Sequence, residues 1–163
     1  MIGAGFVDRR PPGGNEESDY QSSFMSTLAP PRVFRGVHCT LTIQRPAAGV
    51  VHAVIEGPDV GEFGDAPFRE LELDVGQQAP IEMFIDARDV PAASLEVSAE
   101  WARWMKEHRE RIHRLNMLCG SRFIELTASF VQRFTQFGPR MRIYTEASAF
   151  EEALRIAAGD GRR

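Results

Sequence analysis

Apolar and polar positions alternate in two different periods along this chain, and the periods change at turn signals. In "VHCTLTIQR" (37–45), Val37, Cys39, Leu41 and Ile43 fall on one side, the period of a half-buried strand. "PAAG" then reads as a turn, and "VVHAVIEG" (50–57) is a second Val-rich run, so the two predict a hairpin. Between 58 and 79, Phe68, Leu71 and Val75 fit a helical face, whereas Leu71, Leu73 and Val75 fit a strand; the helix, Ala66 to Gln77, is preferred. "IEMFIDA" (81–87) predicts a short buried strand. In "SLEVSAEWARWMKEHRER" the apolar residues Val97, Trp101, Trp104 and Met105 recur at helical spacing behind an N-cap at Ser94 or Ser98.

The alternation continues to the end of the chain. "IHRLNMLCG" (112–120) reads as a strand, with His113, Leu115, Met117 and Cys119 on one side. Residues 121–139 form the best-defined helix: Ser121 caps it, and Gly138 and Pro139 stop it. Phe123, Leu126, Phe130, Phe134 and Phe137 form its stripe and are expected to be core. Ile124 and Val131 lie off that stripe and are candidates for a surface that meets a partner or an apolar ligand. A strand (140–146) and a helix (148–158) close the chain. The order predicts an α/β fold: a mixed sheet of about five strands, an antiparallel hairpin first and parallel strands after it, with helices packed on it.

Composition changes the picture at the ends. Residues 1–32 include "RRPPGGNEESDYQSS", rich in Pro, Gly, Ser and charge, and are expected to be a disordered tail. The domain is expected over 33–158, with 159–163 a frayed terminus. A net charge of −4 does not suggest a nucleic-acid binder. No window reaches the apolar length of a membrane helix, and "MIGAGFVDRR" does not read as a signal peptide, so a cytoplasmic protein is expected. Cys39 and Cys119 lie in strand-like runs and read as buried reduced thiols.

Candidate chemistry concentrates in "EMFIDARDVPAASLE" (82–96). Asp86 falls at the carboxyl end of a central strand, where open α/β sheets bind ligands, and a carboxylate there can hold a metal or act as a base. The competing reading is that Asp86 accepts backbone N–H groups and Asp89 starts a turn before Pro91. Ser94 is either a helix cap or a phosphoacceptor at a helix N-terminus. His108 and His113 are five residues apart, which does not match the four-residue spacing of helical zinc sites. His38 and His52 are on the two hairpin strands without an acidic or Cys cluster to join them. No metal or cofactor is expected. A Gly-rich phosphate loop and a nucleophile elbow are both missing from the sequence.

Four stretches carry a resemblance to a known family: "CTLTIQRPAAGVVHAVIEG", "IEMFIDARDV", "LNMLCGSRFIELTASFV" and "MRIYTEASAFEEALRI". Together they resemble the STAS domain, and within it the stand-alone bacterial proteins similar to anti-sigma-factor antagonists. The resemblance implies a non-enzymatic regulatory or interaction module, with a protein partner and self-association open. Regulatory members carry an Asp-Ser pair at the start of the helix after the third strand, with the Ser phosphorylated; here the helix starts "AASLEVSAEW", without that pair. The alternative is a small-molecule or lipid-binding domain that uses a cleft beside Asp86 and the Phe-rich helix.

Overall fold

The computed structural model describes residues 29–159. The expected tail therefore lies outside the described residues except at its last positions, and so does the C-terminal end beyond Gly159. Six strands form one sheet: β1 (Arg32–Arg35), β2 (Thr40–Ala47), β3 (Val50–Glu56), β4 (Ile81–Asp89), β5 (Ile112–Cys119) and β6 (Met141–Tyr144). They lie side by side in chain order. β1, β2 and β3 pair antiparallel, and β3 to β6 pair parallel. Four helices connect or follow them: α1 (Ala66–Gln77), α2 (Leu95–Glu107), α3 (Arg122–Thr135) and α4 (Ala147–Ala157).

β1 is absent from the sequence expectation, which placed Arg32 in the tail and counted about five strands. A four-residue segment with two apolar residues between arginines has little strand signal of its own. It is held by pairing, with Phe34 opposite Leu41 and the Phe34 ring 5.9 Å from Phe63. β2 also starts later than expected: Val37 is exposed in the bend before it, while Cys39, Leu41 and Ile43 are buried.

The central strands are buried on both faces. On one face Val51 and Ala53 of β3 pair with Met83 and Ile85 of β4, which pair in turn with Leu115 and Met117 of β5. Each crossover helix packs there: α1 through Leu71 and Val75, α2 through Ala102, Trp104 and Met105, α3 through Ile124, Ala128 and Val131. On the opposite face a smaller core of Val50, Phe84, Leu118 and Phe150 is covered by α4. Arg45 of β2 ties α1 to the sheet edge by ion pairs to Glu70 and Asp74, both at 2.9 Å. Gly120, at the turn from β5 into α3, passes so close to the Arg88 carbonyl that a Cβ there would overlap it.

The sidedness of α3 is the reverse of the sequence expectation. Phe123, Leu126, Phe130 and Phe134 are 51%, 62%, 61% and 43% exposed. Ile124 and Val131, expected on a partner-facing surface, are 2% and 6% exposed and lie in the core with Ala128 and Thr135. Of the Phe-rich stripe only Phe137 is core, and it lies beyond the last turn of α3. Two stripes of helical spacing run along this helix, 124/128/131/135 and 123/126/130/134, and the smaller residues take the inward one. α3 packs beside α2 on a face that already carries α1, and Ala128 and Val131 allow the close approach that a row of Phe would prevent.

Ile124→Ala is therefore expected to destabilise the fold by about 2–5 kcal/mol, as for other buried large-to-small changes. Phe130→Ser is expected to stay within about 0.5 kcal/mol of the wild type, as surface changes do. Urea denaturation of the two variants checks the order; equal losses would place Phe130 in the core.

Candidate functional site

Two regions gather the residues that the sequence singles out, and they lie on opposite faces of the sheet. The first is beneath α4. Asp86 of β4 is buried on this face, directly paired with Val54 of β3 and Leu118 of β5 in the sheet register. Its Oδ1 accepts the Arg88 backbone N–H at 3.1 Å, and its two oxygens accept from Arg88 Nε at 3.1 and 3.0 Å. Arg88 Nη2 also donates to Glu151 Oε1 of α4 at 2.8 Å. Hydrogen bonds to Asp86, then to Glu151, raise the Arg88 guanidinium pKa further above its already high range. The chain Asp86–Arg88–Glu151 thus clasps α4 to the carboxyl end of β4.

His52 of β3 lies under the same helix. Its ring is 6.1 Å from Phe150, and its Nε2 is buried without a hydrogen-bond partner. Burial lowers its pKa; the Asp86 charge opposes that shift and the Arg88 charge adds to it. Asn116, also buried here, donates to Glu82 Oε1 at 3.1 Å and accepts from the Tyr144 hydroxyl at 3.3 Å.

Asp89 does not join this cluster. It is exposed at the end of β4, and its backbone carbonyl accepts the Gly57 N–H at 3.0 Å. No hydrogen bond links Asp86, Asp89 and Ser94 to one another among the described residues. Among the described residues no group of three or more His, Cys, Asp or Glu is placed to hold a metal ion. Ser94 Oγ accepts the Val97 N–H at 3.2 Å and so caps α2. His38 is exposed in the bend before β2, away from His52. Burial raises the Cys39 thiol to about 11 and the Cys119 thiol to about 12, so both are poor nucleophiles at neutral pH.

The second region is the outer side of the α2–α3 pair. Phe123, Leu126 and Phe130 of α3 and Leu95 of α2 wall an open groove of about 370 Å³, floored by the small residues Ala93, Ser98, Ala99 and Thr127. Phe130 and Phe134 stack with their centroids 6.0 Å apart, and the Lys106 ammonium sits 4.6 Å from the Phe134 centroid. Beneath the groove, between the two helices and the sheet, is an apolar cavity of about 60 Å³. Asp59, which the sequence reading passed over, edges this cavity. It is nearly buried, desolvation raises its pKa, and its Oδ1 accepts the Gly61 N–H at 3.2 Å. Its position follows β3, and neither spacing nor composition marks it out. A cleft that joins Asp86 to the Phe-rich helix does not form, because the sheet separates them.

A solved structure matches this arrangement across most of the domain. It is an uncharacterised protein of the DUF3478 family from Shewanella loihica PV-4, described as having a SpoIIAA-like fold. The match has a TM-score of 0.52 and 16% identity, and it covers 74% of this chain and 98% of that one. This chain has a SpoIIAA-like fold. That is the STAS-like architecture expected from the four sequence stretches, with one strand more than expected. No family model and no curated protein matches the sequence. No helix among the described residues is long and apolar enough to cross a membrane.

His52 gives the SpoIIAA-like domain a pH dependence with a defined sign. Its folded pKa is lowered from 6.5, so the unfolded chain takes the proton first. The stability that comes from keeping His52 neutral is fully present above about pH 6.5 and is lost as pH falls through that value toward the folded pKa. Thermal melts from about pH 7 to about pH 5 should show the wild type losing stability and His52→Gln losing clearly less. Parallel slopes would assign the loss to other groups.

Proposed function

We propose that this chain is a non-enzymatic interaction module with a regulatory role, and that it meets a protein partner through the outer face of α2 and α3. The observation that carries this reading is the exposed row Phe123, Leu126, Phe130 and Phe134, extended by Leu95, which is 85% exposed. Scattered surface apolar residues are ordinary in soluble proteins, but a continuous stripe of three aromatics and two leucines beside a groove is the signature of an interaction surface. The inward face of α3 is already satisfied by Ile124, Ala128 and Val131, so the stripe is not needed to hold the domain together.

The small-ligand reading has two features in its favour: the groove of about 370 Å³, which is open to solvent along its outer side, and the apolar cavity beneath it. The cavity's volume of about 60 Å³ weighs against it. Ligand pockets for drug-sized molecules run to roughly 300–1,000 Å³, so the cavity holds nothing larger than a few atoms while α2 and α3 stay together. The carboxylate side is occupied as well, since Asp86 is spent on Arg88.

Photo-crosslinking in the native host tests the proposal. A photoreactive residue at position 126 is expected to yield discrete protein adducts, and one at position 44, on an exposed β2 site, is expected to yield none of them. Phe130→Ser should abolish the adducts while leaving the melting temperature in place. Adducts that survive Phe130→Ser, or that form equally from position 44, would remove the α2–α3 face from the interaction.

A further inference from the structure

α4 is held differently from the other three helices. α1, α2 and α3 are crossovers with a strand of the sheet on either side, while no strand follows α4 among the described residues. Ser94 and Ser121 cap α2 and α3 by accepting the Val97 and Ile124 N–H groups, whereas Glu146 at the start of α4 makes no side-chain cap. α4 is 11 residues long, too short to be a stable helix away from the sheet. Its apolar hold is the buried set Val50, Phe84, Leu118 and Phe150. The Phe150 ring meets Phe84 at 5.6 Å, Tyr144 at 5.7 Å and His52 at 6.1 Å between centroids. Three rings therefore form the seat of α4, and one of them, His52, changes charge near neutral pH.

We propose that α4 is an acid-released cover: uptake of a proton by His52 lifts α4 from the sheet and exposes Val50, Phe84 and Leu118, while the opposite face with α1, α2 and α3 stays folded. The neutral ring is accommodated beneath Phe150 with Nε2 buried and unpartnered. In the charged ring both nitrogens donate, so Nε2 becomes a charged donor without an acceptor. The carboxylates nearest in the sheet register and on α4 are already engaged. Asp86 and Glu151 both accept from Arg88, Glu82 lies 3.8 Å from Arg114 of β5, and Glu152 pairs with Arg155 within α4. β2 sets the uncharged Gln44 opposite His52, and β6 brings only Arg142 and Tyr144 to this face. Burial and the Arg88 charge accordingly outweigh the pull of Asp86 on the proton. Opening α4 brings water to Nε2 and removes the conflict, and the four buried residues on this face are a small core to give up beside that under α1, α2 and α3.

Hydrogen exchange of the full chain, read by mass spectrometry between about pH 7 and about pH 5 and corrected for intrinsic exchange, makes the test. Opening of residues 147–157 should rise below about pH 6.5 by up to about tenfold per pH unit, while residues 122–135 of α3 keep their protection. In the wild type the His52 imidazole resonances should titrate with the same midpoint as the loss of α4 protection. His52→Gln should flatten the pH dependence. Glu151→Gln, which loosens the clasp and leaves the ring in place, should raise α4 opening at every pH and keep the slope. Exchange that rises equally in α3 and α4 would mean that the proton unfolds the domain as a whole, and would overturn the proposal. A slope that survives His52→Gln, a slope lost in Glu151→Gln, or a His52 midpoint apart from that of α4 protection would overturn it as well.

Discussion

Ile124, Ala128 and Val131 sit against the sheet beside α2, and Thr135 returns its hydroxyl to the Val131 carbonyl of its own helix at 2.7 Å. That packing fixes the rotation of α3 about its axis, and the rotation decides what the domain shows to solvent. Three crossover helices share one face of a six-stranded sheet, so space between them is the scarce quantity. Burying a Phe in place of an Ile gains little extra transfer free energy, because both are worth roughly 1.5–3 kcal/mol when fully buried. Fit therefore outweighs hydrophobicity, and the bulkier residues are turned outward, where they build the groove.

The sheet edges give the same result from another direction. β1 and β6 are four residues long, and β1 begins and ends with Arg. Short, charged edges resist addition of a further strand. On the face away from the crossovers, α4 covers the central strands and is held by the Asp86–Arg88–Glu151 clasp as well as by Phe150. Among the described residues, the outer surface of α2 and α3 keeps a continuous row of exposed apolar side chains.

The parts of the fold legible in the sequence were those set by local pattern. The α1 bounds Ala66–Gln77, the hairpin of β2 and β3, and the strand–helix alternation after it follow from periodicity and turn residues. β1 was not legible because its strand state depends on pairing with Leu41 and Ile43, not on its own residues. The face of α3 was not legible because its two stripes have the same period and both are apolar; only the neighbouring helix decides between them. The site residues failed in a related way. "DARD" places Asp86 and Asp89 three apart in sequence, which says nothing about Arg88 closing on Asp86 or about the sheet standing between Asp86 and the Phe-rich helix.

The small cavity between α2, α3 and the sheet is only partly closed, and its apolar lining leaves a packing gap that the folded state keeps and the unfolded chain does not. Voids of this kind are lost on unfolding, which makes the volume change of unfolding more negative. Hydrostatic pressure acts on that volume directly, without regard to charge, so compression should loosen the α2–α3 pair before it disturbs the tightly paired strands beneath.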